Sequence, residues 1–461
     1  MKTLNKIISV FIITVMVAIG IVFLPFATPT TVVLADGEEG VMTVHFIDCG
    51  QADACVIEFP DDKTMLIDAG HTSSDSYGAV KTYVNELGIT KFDYFIMTHA
   101  DADHIGGVTK VFESITADVV YRPSQLSSAS GYTDPALSKT GKYGIPYDTS
   151  DVPSNNKQSS QAYKNALDCV YEMTNEVYVI DPSNDEINEI EGSVTVSGQS
   201  FEYSLNMYSP LTPPYSDNND YSPIMVLSYA GRNLVIAGDA EEKNEKEFVQ
   251  KVKNTSTDSR YNIFRSGNFH ADLIKMSHHG SSTSSSEDYL SIMTQVSSKR
   301  CNTYTLFSCN DEAYGNKYAH PHNETLDRLM DMGFSAERIE RTDLNGNIRF
   351  DVRSGGELTR THDKDATITE LLTSGTSDTR AEKVSVDNNV KPTEPNGSPV
   401  TKGDPDKEGF SFEKIFAYFM SLDLPIKILI IAGAVLVLIA IIAIIVAVTK
   451  KGKRKKSRRR R

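Results

Sequence analysis

At Met42–Ile47 (MTVHFI) apolar and polar side chains alternate as on a half-buried strand. Cys55–Phe59 (CVIEF) and Met65–Ile67 are short apolar runs, and Gly50 and Pro60-Asp61-Asp62 punctuate them, so this region is predicted to form hairpin strands. Ala79–Leu87 has helical spacing, Phe92–Met97 (FDYFIM) is a strand, and Asp103–Phe112 begins a helix after a loop. Residues 124–219, rich in Ser, Tyr, Asn, Pro and Asp, show only patches of pattern such as Ala162–Tyr171 and Val177–Ile180 and are expected to be an insertion with long loops. Met225–Tyr229 and Asn233–Ala237 form a hairpin around Gly231. Helices follow at Glu241–Val252, Tyr289–Val296 and Asn323–Met332, with strands at Leu273–Met276 and Thr303–Ser308. Ile348–Val352 is expected to close a globular part spanning 41–352, and no internal repeat is visible.

Two further apolar stretches have no such periodicity. Ile7–Ala27 is a run of 21 mostly apolar residues after Lys2 and Lys6, which marks 1–35 as an export signal, cleaved or kept as an anchor. Ile428–Thr449 offers 22 uncharged residues; at about 1.5 Å per residue this is about 33 Å, enough to cross a hydrocarbon core of about 30 Å. Polar residues 353–424 read as a disordered linker or stalk, in which Phe410–Leu422 can form a short amphipathic helix beside the membrane.

Charge then sets the topology. The 461 residues carry 46 Lys+Arg against 61 Asp+Glu, a formal −15. Ten of the positive charges lie in the tail 450–461, and Lys2, Lys6 and Lys427 also lie outside 36–424, so that stretch keeps 33 bases against all 61 acids, or −28. The basic tail is expected on the cytoplasmic side, which places the acidic body outside the cell membrane. Composition excludes a collagen, a disulfide miniprotein and a basic nucleic-acid arm. The five cysteines are odd in number. Cys301 and Cys309 bracket a strand that holds them about 25 Å apart, and Cys49 and Cys55 can meet only across a tight turn, so no disulfide framework is expected.

Candidate chemistry is concentrated after the strand Phe92–Met97, in Thr98-His99-Ala100-Asp101-Ala102-Asp103-His104-Ile105-Gly106-Gly107. Four potential metal ligands fall within six residues. On an extended loop His99, Asp101 and Asp103 share a side, and His104 turns in as a helix starts; two glycines allow a tight turn. Carboxylates so close repel unless a cation compensates. Asp68 follows Met65–Ile67, Asp239 follows Asn233–Ala237, and His278-His279-Gly280 follows Leu273–Met276. Each is a polar ligand type at the C-terminal end of a strand, where loops gather into a site. His320-Pro321-His322 comes after Thr303–Ser308.

This ordered set resembles the metallo-β-lactamase superfamily, and within it the hydrolase domain of the ComEC group of competence proteins. Phe46-Ile47-Asp48-Cys49-Gly50-Gln51-Ala52-Asp53-Ala54 is similar to that group's opening motif, with Cys49 and Ala52 departing from its usual Val and Gly. Thr98–Gly107 matches its His-x-Asp-x-Asp-His-x-Gly-Gly form, Asp101 standing where most of the superfamily has His. Tyr318-Ala319-His320-Pro321 matches a later motif, with Ala319 for the usual Gly. The resemblance implies an α+β fold, a four-layer αββα sandwich with two divalent metal ions (Zn²⁺ or Mn²⁺) at one edge. It implies that His99 and Asp101 hold one metal, that Asp103, His104 and a histidine of the 278–279 pair hold the other, His279 being favoured over His278, and that Asp239 bridges. Asn218-Asn219-Asp220-Tyr221-Ser222 lacks the superfamily's His before the central hairpin, leaving His320, Asn219 or water for the first position.

Such a site activates a bridging water, and its extra carboxylate favours harder cations. Asp68 is expected to support a ligand histidine and His320 to protonate a leaving oxygen. The expected function is a membrane-anchored, extracytoplasmic hydrolase acting on a phosphodiester, as a nuclease or phosphodiesterase does. A cell-envelope phosphoester or a lactone or β-lactam carbonyl is the alternative substrate, and a non-catalytic surface domain the alternative role. A nucleic-acid partner gains from counterion release only where Lys or Arg meets the backbone, which a −28 body does not favour. Lys139, Lys142 and Lys157 could form a local basic patch, and the tyrosines of 124–219 could stack sugars or bases.

Overall fold

A computed structural model describes residues 40–127, 129–130, 132–138, 157–158, 160–182, 188–254, 258–310 and 318–373. The export signal expected at 1–35, the linker beyond residue 373, the spanning segment 428–449, the tail 450–461 and Lys139 and Lys142 lie outside the described residues. Among the described residues no helix is long and apolar enough to cross a membrane.

Two sheets face one another. The first has β1 (Val41–Phe46), β2 (Cys55–Glu58), β3 (Thr64–Ile67), β4 (Lys91–Ile96), β5 (Thr116–Arg122), β8 (Glu176–Val179), β16 (Ile348–Arg353) and β17 (Leu358–His362), in the order β17-β16-β1-β2-β3-β4-β5-β8. The second has β9 (Glu189–Val196), β10 (Gln199–Met207), β11 (Met225–Tyr229), β12 (Arg232–Ile236), β13 (Leu273–Lys275), β14 (Tyr304–Phe307) and β15 (Ile339–Arg341), in the order β15-β14-β13-β12-β11-β10-β9. The short strands β6 (Leu126–Ser127) and β7 (Lys157–Gln158) pair separately.

Alternation decides the layers. Phe46, Ile57, Ile67 and Phe350 of the first sheet meet Leu205, Leu227, Ile236 and Leu306 of the second in a central core. Val56 and Leu66 point the other way, to an outer core with Val80 and Val84 of helix Ser74–Glu86 and Leu167 and Val170 of helix Gln161–Met173. Val235 and Ile274 likewise face Phe248, Leu290 and Leu329, from helices Glu242–Lys253, Glu287–Met293 and Asn323–Asp331. Burying each set removes apolar surface worth about 25 cal/mol per Å² from water, and the result is helix, sheet, sheet, helix.

Two sequence expectations need correction. The described residues of 124–219 are more than loops: they supply β8 to the first sheet, β9 and β10 to the second, and helix Gln161–Met173. Their tyrosines count as polar in a pattern, but the rings of Tyr163 and Tyr203 are buried while their hydroxyls bond Gln125 O and Asp61. The globular part also passes residue 352. β17 (LTRTH) pairs with β16, and helix Ile368–Leu371, closed by a Thr367/Glu370 capping box, follows it. An edge strand with intermediate burial shows no apolar alternation, so its sequence looks like linker. The five cysteines are all free thiols.

Candidate metal centre

β3, β4, β5 and β8 run parallel in one sheet, and β12 to β15 run parallel in the other. The C-terminal ends of β3 and β4 deliver Asp68 and Thr98–His104; those of β12 and β13 deliver Asp239 and His278-His279. The two groups meet at the seam. Gly238 makes the approach possible: at φ 50° it favours glycine, and a Cβ there would lie 2.9 Å from Thr98 Oγ1 and 3.0 Å from Ser222 Oγ. Gly106 and Gly107 carry the chain from one short helix into the next with helical φ, −67° and −80°. What Gly107 supplies is space, since a Cβ would sit 2.0 Å from the carbonyl oxygen of Ala69.

His99 is buried and Asp101 ends the extended stretch as the N-cap of helix Ala102–Ile105, so Asp103 and His104 enter on a helical turn rather than by strand alternation. Ligand atoms of Asp103, His104, Asp239 and His279 all lie within 4.8 Å of one another. Asp239 Oδ2 is 3.2 Å from His104 Nε2 and 3.5 Å from His279 Nε2, and Asp103 Oδ2 is 3.4 Å from His279 Nε2. His99 Nε2 lies 3.8 Å from Asp101 Oδ2, and its ring centroid is 4.2 Å from that of His104. His278 turns aside, its Nδ1 2.9 Å from Glu241 Oε1 and its Nε2 3.9 Å from Asp239 Oδ2. Asn219 reaches Glu241 at 3.3 Å and His278 at 3.5 Å, while its neighbour Asn218 donates to Asp101 Oδ1 at 2.6 Å.

The hydrogen bonds behind the rings decide which nitrogen each offers. His104 Nδ1–H donates to Asp68 Oδ2 at 2.8 Å, and His279 Nδ1–H donates to the Ser308 carbonyl at 2.7 Å. Thr98 gives its hydroxyl proton to Asp68 Oδ2 at 2.7 Å, so its oxygen is free to accept His99 Nδ1–H at 3.1 Å. All three rings therefore turn Nε2 inward. The Nε2 atoms of His99, His104 and His279 and the Oδ1 of Asp239 are buried without a hydrogen bond. Three imidazole nitrogens and a carboxylate oxygen turned into one buried site are a donor set that, once the ring protons leave, fits divalent cations of the Zn²⁺ or Mn²⁺ kind.

Electrostatics agree. Burial alone would push His104 and His279 below the ordinary imidazole range, yet Asp239, with Asp68 and Asp53 at His104 and Asp53 at His279, drives both up, His279 to about 10. Burial, reinforced by His104, pushes His99 down to about 4. Burial works against Asp239, but His104, His279 and His278 hold its carboxyl well below the usual range; burial lifts Asp101 instead. Protons on His104 and His279 thus balance carboxylates that a cation would otherwise balance, and cation binding must displace them.

Some members were hidden in the sequence. Asp53, quoted in the opening motif without a role, is buried and bonds Lys275, a 3% exposed lysine that also donates to Gly238 O at 3.2 Å. A lysine inside the apolar strand LIK was the available signal. Ser308 acts through its main chain, which leaves no signal. His320 sits beside the pair: its ring centroid is 5.5 Å from His278 and 5.9 Å from His279, and Gln51 Nε2 donates to its Nδ1 at 2.8 Å. Burial and then the neighbouring His279 and His278 push it down to about 2.

Residues 47–157 match a family model described as the metallo-beta-lactamase superfamily. Over those residues the chain is similar to the metallo-beta-lactamase superfamily. It is similar to ComE operon protein 3 of Bacillus subtilis (strain 168), 23% identical over 322 residues, which is 67% of this chain and 32% of that protein. It is also similar to Competence protein ComA of Neisseria gonorrhoeae, 22% identical over 320 residues, which is 69% of this chain and 33% of that protein. The chain thus spans about a third of the length of the curated relatives it matches. Among solved structures, a diphosphatase of the PhnP family aligns at 11% identity over 68% of this chain and 99% of its own, with a TM-score of 0.30. Hydrolases are the usual members of such a superfamily, and the His/Asp cluster is its candidate metal site in this chain.

Proposed function

We propose that this chain is a metal-dependent hydrolase of phosphodiesters, tethered to the cell membrane through residues 428–449 with its catalytic body on the extracytoplasmic side. The observation that carries the reading is the convergence of ligand atoms of Asp103, His104, Asp239 and His279 within 4.8 Å of one another, with the buried His99 ring centroid 4.2 Å from that of His104. His99 and Asp101 would hold one divalent ion, Asp103, His104 and His279 the other, and Asp239 would reach both. Ions bound there supply an activated water nucleophile and a Lewis acid for a phosphoryl oxygen.

The protein's own groups do the rest. Asp68 and Ser308 O keep the ligand rings in one tautomer. Asp53 and Lys275 place a compensated ion pair beneath the site, so Lys275 adds no free cation for a polyphosphate. His320 stays neutral across the physiological range, and the Gln51 N–H on its Nδ1 leaves the proton on Nε2; it serves a leaving oxygen by donating a hydrogen bond rather than as an imidazolium acid. The formal −28 of residues 36–424 favours a small or singly charged diester over long DNA, although the likeness to competence proteins keeps single-stranded DNA among the substrates to be tried.

The test is a hydrolysis screen of bis-p-nitrophenyl phosphate, single-stranded DNA and a lactone or β-lactam, with Mn²⁺ and Zn²⁺ separately. Diester turnover lost in an Asp103→Ala, His104→Ala protein supports the reading. Turnover of the carbonyl substrates alone, or unchanged activity in that variant, overturns it.

A further inference from the structure

The carboxylate of Asp101 is oriented from a part of the chain remote in sequence. Asn218 Nδ2 donates to Asp101 Oδ1 at 2.6 Å, and Gln125 Nε2 donates to Asn218 Oδ1 at 2.8 Å. The order of these amides is forced. A carboxylate only accepts, so Asn218 must turn its NH₂ toward Asp101; its carbonyl then faces Gln125, which must present an NH₂ of its own. Gln125 is in turn anchored: it is buried, and its main-chain carbonyl accepts from the Arg122 guanidinium and the Tyr163 hydroxyl. Arg122, 0% exposed, pairs with the buried Asp134 at 2.7 Å. At the other end of the chain of bonds, Asp101 Oδ2 lies 3.8 Å from the unbonded His99 Nε2.

We propose that Asn218 and Gln125 are positioning residues that tie down Asp101 Oδ1, so that Oδ2 alone is offered, together with His99 Nε2, to a divalent cation. The proposal rests on the metal-hydrolase reading above. It divides the centre into two halves supported differently. Asp103, His104 and His279 are held from the strand ends of the two sheets, with Asp68 and Ser308 behind them, and need nothing from Asn218. In the other half His99 rests on Thr98, but Asp101 depends on a two-link amide chain that starts at the Arg122–Asp134 pair. Cutting that chain should empty one cation position and spare the other.

The full chain, stripped by a chelator, is titrated with MnCl₂ by calorimetry, and retained metal is counted by elemental analysis after desalting. Wild type is expected to take two equivalents. Asn218→Ala should keep one at wild-type affinity and weaken the second by about 10- to 100-fold, the usual effect of removing a partner behind a ligand. Asn218→Leu, which keeps the branching and number of side-chain heavy atoms but cannot hydrogen-bond, should give the same split with an unchanged melting temperature. Gln125→Ala should weaken the same equivalent, and the double variant Asn218→Ala, Gln125→Ala should be no weaker than Asn218→Ala, because Gln125 acts through Asn218. The proposal is overturned by a wild type that takes one equivalent, by two unchanged equivalents in Asn218→Ala, by loss of both together, or by additive effects in the double variant. A wild type that binds two cations and hydrolyses nothing overturns the functional reading and leaves this one standing.

Discussion

Asp68 Oδ2 lies 2.8 Å from His104 Nδ1, while Asp68 Oδ1 accepts the main-chain N–H of Thr98 at 2.9 Å. One carboxylate therefore sets the tautomer of a ligand ring and the course of the chain that carries His99. Asp68 holds a left-handed φ of 58°, a conformation asparagine also tolerates. Asp68→Asn is expected to fold but to lose about 10- to 100-fold in metal affinity, read by competition with a chromophoric chelator, because an amide is a weaker acceptor for Nδ1–H.

The adjacent histidines should differ. His279 lies within the cluster, 1% exposed, and His278 leans on Glu241 at 2.9 Å. His279→Ala is expected to lose one metal equivalent and nearly all turnover, whereas His278→Ala keeps its metal content. Elemental analysis of both purified variants checks this; equal metal loss would contradict it.

Metal loading should release protons. His104 and His279 both sit above their ordinary values in a site crowded by Asp239, Asp53 and Asp68, so both carry a proton at neutral pH in the absence of metal. Coordination through Nε2 removes it. Affinity is expected to rise with pH between about 6 and 8, by up to tenfold per pH unit for each proton displaced. Calorimetry in two buffers of different ionisation enthalpy counts the protons directly.

Glu245 gives a stability prediction away from the metals. Burial pushes it up to about 7 although its oxygens accept from Ser285 N at 2.6 Å and Ser286 N at 2.8 Å. Its folded value lies above its unfolded one, so the stability it contributes is complete below about pH 4.5 and is lost as pH rises through about 7. The melting temperature of wild type should therefore fall relative to Glu245→Gln between pH 5 and 8, by an amount corresponding to about 1–3 kcal/mol. A difference independent of pH would refute the assignment.

The sequence made the site more legible than its supports. His99, Asp101, Asp103, His104, Asp239 and His279 are readable because each follows an apolar strand, and strands of this length announce their ends. Thr98 and Ser222 act by hydrogen bonds on His99, and Asn218 by one on Asp101, all ligands already placed, and such residues look like any polar loop. Lys275 was concealed because one lysine in a buried strand has meaning only once Asp53 is seen opposite. In the fold, β9 and β10 were missed because a strand such as Glu189–Val196 faces solvent along much of its length, and β17 because an edge strand need not be apolar.

The centre takes its donors from both layers: His99 to His104 from the loop after β4, Asp239 and His279 from the loops after β12 and β13. A cation bound there is a clasp across the sandwich, closing a loop of more than 130 residues without a covalent bond. Loading and folding are then linked equilibria. At a free cation concentration a hundred times its dissociation constant, the clasp adds about 2.7 kcal/mol to the stability of the closed sandwich. Metal supply would thus tune the fraction of closed sandwich on top of the stability that the three apolar cores already give.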